Sequence, residues 1–189
     1  MSEENKKKKG VNGKRKGSGN ERDIANLLSK KLDPLKFRKT ESSGGIVGGK
    51  NFELMAQKFS KESLRLFIGD VVPLNESECG HKFRFVIEAK AYKESDKVHH
   101  LLDPTSTIYR WMDEARADAT KLELEPMLIF KWNNTPRMVC VEDTVQLPAG
   151  IPVLKLLNNM QLTILEDLLE HKLFWINTSN QEGSPLQSQ

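Results

Sequence analysis

Apolar residues recur at helical spacing in three stretches of the chain and run together or alternate between them. Over 20–32, Ile24, Leu27 and Leu28 line one stripe that Leu32 continues, which predicts a first helix capped by Ser18 or Asn20 and ended by Asp33-Pro34. A short strand is expected over 35–40, then a flexible loop over 41–49. Residues 51–65 (Phe52, Leu54, Met55, Phe59, Leu64) suggest a short helix within an insertion of about 46–66. Two apolar, β-prone runs near 66–72 and 82–91 predict strands, joined by a polar connection containing Asn75, Glu76, Glu78 and Gly80. Asp103-Pro104 is expected to open a second helix, whose stripe of Ile108, Trp111, Met112, Ala115, Ala119 and Leu122 lasts to about Glu123. Strands over 127–132 and 138–142 follow, separated by the turn Asn133-Asn134-Thr135-Pro136. Met160, Leu162, Ile164, Leu165, Leu168, Leu169 and Leu173 predict a C-terminal helix over about 158–173, apolar enough either to close the core or to meet a second protomer. Helices bracketing a mixed sheet define an α/β layered domain over 20–176, between loose segments at 1–19 and 177–189.

The 189 residues suffice for one domain with a core, and a charged fraction of 29% against 38% hydrophobic suits an ordinary globular chain. No stretch approaches the ~20 apolar residues that span a bilayer. No apolar segment follows the first lysines, so an intracellular protein of cytoplasm or nucleoid is expected. Cys79 and Cys140 provide neither a disulfide framework nor a paired metal-ligand spacing. The formal charge of +3 is unevenly spread: Lys6, Lys7, Lys8, Lys9, Lys14, Arg15 and Lys16 face Glu3 and Glu4, so residues 1–16 carry +5 and the remainder −2. A basic arm of this kind adds salt-sensitive affinity for a polyanion, or serves as a solubilising leader or localisation signal.

Chemistry is concentrated in Phe83-Arg84-Phe85-Val86-Ile87-Glu88-Ala89-Lys90. Side chains of a strand alternate between faces, so Phe83, Phe85, Ile87 and Ala89 share an apolar face while Arg84, Val86, Glu88 and Lys90 share the other. Two opposite charges at the tip of a largely buried strand are costly unless paired, metal-bound or functional. Asp70, ending the preceding apolar run, supplies another carboxylate. Hard oxygen ligands suit Mg²⁺, with Mn²⁺ as a substitute, so Asp70, Glu88 and the Ala89 carbonyl are the candidate ligands. Lys90 would orient or deprotonate the attacking water and stabilise charge developing during phosphodiester cleavage. The competing reading of Glu88 and Lys90 is a strand-end salt bridge worth ~0–1 kcal/mol if exposed.

Gly69-Asp70, seventeen intervening residues, then Glu88-Ala89-Lys90 resembles the active site of the PD-(D/E)xK nuclease superfamily. Within it, the chain resembles Holliday-junction resolvases of archaeal and phage type. Gly19-Asn20-Glu21-Arg22-Asp23 resembles their first-helix motif, which implies that Glu21 joins the metal site. Phe37-Arg38-Lys39-Thr40-Glu41-Ser42-Ser43-Gly44-Gly45 resembles their arginine strand and Ser-Gly loop, implying DNA-phosphate contacts from Arg38, Lys39, Ser42 and Ser43. Lys93, just past the catalytic strand, joins this group. The resemblance covers roughly 17–142 and implies a restriction-endonuclease-like αβββαβ core with a C-terminal helix appended. It also implies a homodimer, since resolving a four-way junction takes two symmetric nicks. Gly69 stands where the superfamily often has proline, and the connection over 46–66 is long.

Other candidate sites are weaker. Cys79-Gly80-His81 with His99 and His100 matches no familiar zinc spacing. Gly49-Lys50-Asn51 lacks the Gly-Lys-Ser/Thr of a phosphate-binding loop, and Ser42 and Ser43 have no placed histidine. Trp111 and Trp132 lie in core patterns. The expectation is a Mg²⁺-dependent, structure-selective DNA endonuclease acting on branched DNA. A restriction- or repair-type DNase on duplex or flap DNA, and a catalytically silent nucleic-acid-binding or assembly protein, are the alternatives. The C-terminal helix is a possible protein-partner site.

Overall fold

The computed structural model describes residues 9–41, 50–92 and 101–177. In chain order it contains α1 (Lys9–Lys31), β1 (Phe37–Lys39), α2 (Lys50–Ala56), α3 (Lys61–Arg65), β2 (Val71–Pro73), α4 (Glu76–Cys79) and β3 (Phe85–Tyr92). These are followed by α5 (Thr107–Leu122), β4 (Glu125–Trp132), β5 (Met138–Glu142), β6 (Leu154–Leu156), β7 (Met160–Ile164), α6 (Leu165–Leu168) and a 3₁₀ turn (Lys172–Trp175). The strands form one sheet of seven in the order β1-β2-β3-β4-β5-β7-β6. β3 and β4 run parallel, joined by the α5 crossover, and the remaining pairs are antiparallel.

β3 is buried on both sides, as its nearly continuous apolar run requires. Phe83, Phe85, Ile87 and Ala89 pack with Ile24, Leu28 and Leu32 of α1 in the main core. On the other side, Val86 meets Leu64, Ile68, Ala119 and Leu122. Leu128 and Phe130 of β4 pack on Ile108, Trp111 and Met112 of α5, and Trp132 joins them, so both Trp111 and Trp132 are core residues. Ser29 ties α1 to the sheet edge, its hydroxyl accepting the Phe37 N–H at 2.8 Å.

Four expectations change. The first helix begins at Lys9, not near Asn20, so neither Ser18 nor Asn20 is its cap and the expected loose segment from residue 9 onward is helical. Gly10, Gly13, Gly17 and Gly19 hid this extension; prolonging a helix already anchored on a core requires no new nucleus. The apolar run at 66–72 becomes a strand only at Val71, because Leu66 caps α3 and Ile68 fills the small cluster under α5. Asp103-Pro104 does not open α5, which starts at Thr107; Asp103 Oδ1 instead accepts from Thr105 N–H at 2.9 Å and from its hydroxyl at 2.8 Å, a turn leading into the helix.

The largest change is at the C-terminal end. The helix expected over 158–173 is instead β7, one turn of α6 and a 3₁₀ turn. Asn158 and Asn159, at φ 54° and 57°, turn β6 into β7, and positive φ at adjacent Asn residues is a hairpin signal that the apolar stripe obscured. Met160, Leu162, Leu165, Leu168 and Leu169 are buried, as are Phe174 and Trp175, which lie against Phe85 and Phe83 with ring centroids 5.1 and 6.2 Å apart. That apolar surface closes the protein's own core; of the run, Leu173 remains exposed.

Candidate active site

The site lies where β2 and β3 separate. Their ladder is the single pair Val71↔Ile87, and one residue earlier Asp70 replaces it. The Asp70 N–H donates to Ile87 O at 2.7 Å, and Asp70 O accepts the Thr40 N–H at 2.9 Å. Asp70 Oδ2 accepts the Ala89 N–H at 2.8 Å. Two of these bonds fix the Asp70 main chain between its neighbours, and the third fixes its carboxylate. Gly69 allows this approach: its φ is 88°, and a Cβ there would sit 2.9 Å from Ile87 O. Proline, fixed near φ −65°, cannot adopt that backbone, so glycine at this position is a structural requirement of this chain.

Glu88 and Lys90 project from the β3 face that α5 covers. Lys90 Nζ lies 2.5 Å from Glu88 Oε1 and 2.9 Å from Glu114 Oε2 of α5. The Glu88 and Lys90 side chains are 12% and 24% exposed, so this is a largely desolvated cluster and not an ordinary surface bridge. Burial, and then the Asp70 carboxylate, push Glu88 up to about 7. Asp70 is raised as well, chiefly by burial, against the pull of the Ala89 N–H and of Lys90. For Lys90, burial acts to lower the value, but Glu88 and Glu114 outweigh it and hold the ammonium above its usual range.

Glu21, in the middle of α1, belongs to the same neighbourhood. Its carboxyl is raised by burial and by Asp70, while Lys39 and Lys90 draw it down. Lys39 shares its sheet face with Phe37, whereas Arg38 is exposed on the opposite face of the edge strand. Ala89 contributes its N–H, to Asp70. Ser42, Ser43, Lys93, Lys6, Lys7 and Lys8 lie outside the described residues, while Lys9, Lys14, Arg15 and Lys16 fall within α1.

Sequence reasoning missed Glu114 and Asp118, which α5 presents one turn apart. Glu114 pairs with Lys90, and Asp118 raises Asp70 electrostatically while bonding Lys121 at 2.5 Å. No local signal marks them: their place beside the Trp111-Ala115-Ala119 stripe sets them at the rim of the buried helix face without saying what they meet. Among the described residues, no group of three or more His, Cys, Asp or Glu side chains could by itself hold a metal ion.

A mixed sheet flanked by helices, carrying an aspartate beside a Glu-x-Lys strand, is the arrangement of a PD-(D/E)xK nuclease. The chain matches the family "Phage putative PDDEXK endonuclease" over residues 12–172, and it belongs to that family. No curated protein and no solved structure matches it. No described helix is long and apolar enough to cross a membrane.

Proposed function

We propose that this protein is a divalent-metal-dependent DNA endonuclease that selects branched DNA, with Asp70, Glu88 and Lys90 at its catalytic centre and Glu21 beside them. The observation that carries this reading is the convergence of Asp70 and Glu88 on the parting of β2 and β3, with the Lys90 ammonium 2.5 Å from Glu88. Nearby Glu21, Glu114 and Asp118 leave acidic groups in excess of Lys39, Lys90 and Lys121, a field that favours a cation. The donor set suits Mg²⁺, which takes one or two carboxylates and keeps several waters. Thr40 adds to the fit: beside Asp70, its buried hydroxyl has no hydrogen-bond partner among the described residues, as expected of a group that meets a water-carrying ion.

Asp70 and Glu88, with the Ala89 carbonyl, would hold the metal. When bound, the ion supplies an acidified water and charge neutralisation at the phosphate. Lys90, its ammonium held above its usual range by Glu88 and Glu114, would donate to the phosphoryl oxygens and stabilise their developing charge. Asp70 needs no reorientation, being held by backbone on both sides. Lys39 and Arg38 on the edge strand, with Ser42, Ser43 and Lys93, contact backbone phosphates, and the basic residues before Gly17 add affinity without reading sequence.

The preference for four-way junctions rests on the first-helix motif around Glu21 and on the Phe37–Gly45 segment, and a two-fold dimer would deliver the paired nicks. The products would be 5′-phosphate and 3′-hydroxyl ends. Cleavage of four-way, flap and linear duplex DNA with Mg²⁺ tests the reading. Faster, symmetric cutting of the four-way substrate supports it. Equal cutting of all three substrates favours a general DNase, and binding with no Mg²⁺-stimulated cleavage overturns the enzyme assignment.

A further inference from the structure

A cavity of about 370 Å³ opens where α1 crosses the C-terminal ends of β3 and β4, lined by Gly19, Asn20, Asp23, Tyr92, Lys131 and Arg137 among others. None of its polar residues has a role in the site described above. Asn20 is 8% exposed, and its side-chain Nδ2 has no hydrogen-bond partner among the described residues. Arg137 Nε is likewise buried and unbonded. The rest of that guanidinium is held only loosely, 4.0 Å from Asp23 and 3.9 Å from Glu166. Buried donors are ordinarily satisfied, and two left over beside one cavity indicate that an acceptor belongs there. Lys131 adds a second positive charge to the lining.

We propose that this cavity is a phosphate-binding subsite, taking a phosphodiester group of the substrate backbone through Arg137, Lys131 and the Asn20 amide; this rests on the nuclease reading. Its position fits that substrate. Lys131 is in register with Ala91, the residue after Lys90, on the strand next to β3. It lies on the face of the sheet covered by α1, the helix that also carries Glu21, and not on the α5 face that Glu88 and Lys90 share. At ~3.3 Å per strand residue, its level lies roughly 10 Å beyond Glu88. That corresponds to roughly three nucleotides at the ~3.4 Å rise of a DNA strand. Arg137 suits the task because a planar guanidinium can exchange two long ion pairs for a bidentate phosphate contact. The subsite would hold the strand to one side of the cutting centre, fixing which phosphate reaches Asp70 and Glu88.

The test measures binding of a fluorescein-labelled linear duplex to the full chain without divalent metal, over a series of salt concentrations. Arg137→Gln and Lys131→Gln should each weaken binding about tenfold and reduce the salt slope by about one, as expected for one lost phosphate contact. Arg137→Lys should recover most of the slope, and Asn20→Asp, which adds a negative charge to the cavity, should weaken binding further. Unchanged slopes in both glutamine variants would overturn the proposal. If Arg137→Gln lowers the melting temperature, Lys131→Gln decides the matter, since Lys131 makes no ion pair among the described residues. The same preparations given Mg²⁺ report cleavage separately. A wild-type protein that binds but does not cut removes the nuclease reading, while the slopes still judge the phosphate site.

Discussion

Replacing Glu88 by glutamine separates the fold's interest from that of the chemistry. Glutamine is nearly isosteric with the protonated acid and cannot ionise. Glu88 is raised from 4.5 to about 7, so the folded protein binds its proton more tightly than the unfolded chain does. The folded state therefore holds more protons between those values, and stability falls as pH rises through that window. At ~1.36 kcal/mol per unit, the cost of ionising Glu88 in the metal-free protein reaches about 3 kcal/mol by pH 8. Wild type and Glu88→Gln should have similar urea midpoints at pH 4.5. By pH 8 the variant should be the more stable by up to that amount, a difference of roughly 6–12 °C in melting temperature for a chain of this size. Mg²⁺ should stabilise the wild type at pH 8 and leave the variant unmoved. Parallel stability profiles for the two proteins across this range would refute the claim that Glu88 is a desolvated acid held beside Asp70.

Three further outcomes are expected. Gly69→Ala introduces a Cβ 2.9 Å from Ile87 O at a φ of 88°, so it should destabilise the fold by ~1–3 kcal/mol and reduce cleavage more than the lost stability explains, as read by melting and rate together. Glu114→Gln leaves Lys90 its Glu88 contact but removes the second anchor 2.9 Å away; kcat should fall roughly tenfold with KM little changed, and Glu114→Asp should recover part of it. Replacing Lys14, Arg15 and Lys16 with glutamine should weaken DNA binding and flatten its salt dependence while leaving metal-dependent cutting in place, checked by anisotropy at several salt concentrations.

How much was legible in the sequence depended on whether local pattern and tertiary role agreed. β3, β4, β5 and α5 combine a clear period with burial, and the alternation through Phe83–Lys90 correctly separates the apolar face from the charged one. Disagreement produced the errors. Leu165, Leu168 and Leu169 at helical spacing extended a helix backwards over Met160–Ile164, where the alternating polar residues Gln161 and Thr163 are buried in the sheet and bonded to backbone carbonyls. The glycines before Asn20 suggested an irregular segment where α1 is continuous. Of the site, the carboxylates and the lysine were visible as a motif. Glu114 was not, because its meaning depends on α5 lying across β3, and no local spacing encodes that contact. The role of Gly69 was equally hidden, since it follows from a 2.9 Å approach to another strand.

The most direct test of the account is the rate of phosphodiester cleavage by wild type and Asp70→Asn on the same DNA, with and without Mg²⁺. The account predicts Mg²⁺-dependent cutting by the wild type, none by the variant, and DNA binding retained by both. Cutting by Asp70→Asn at the wild-type rate, or cutting by the wild type that is indifferent to divalent cations, would contradict it.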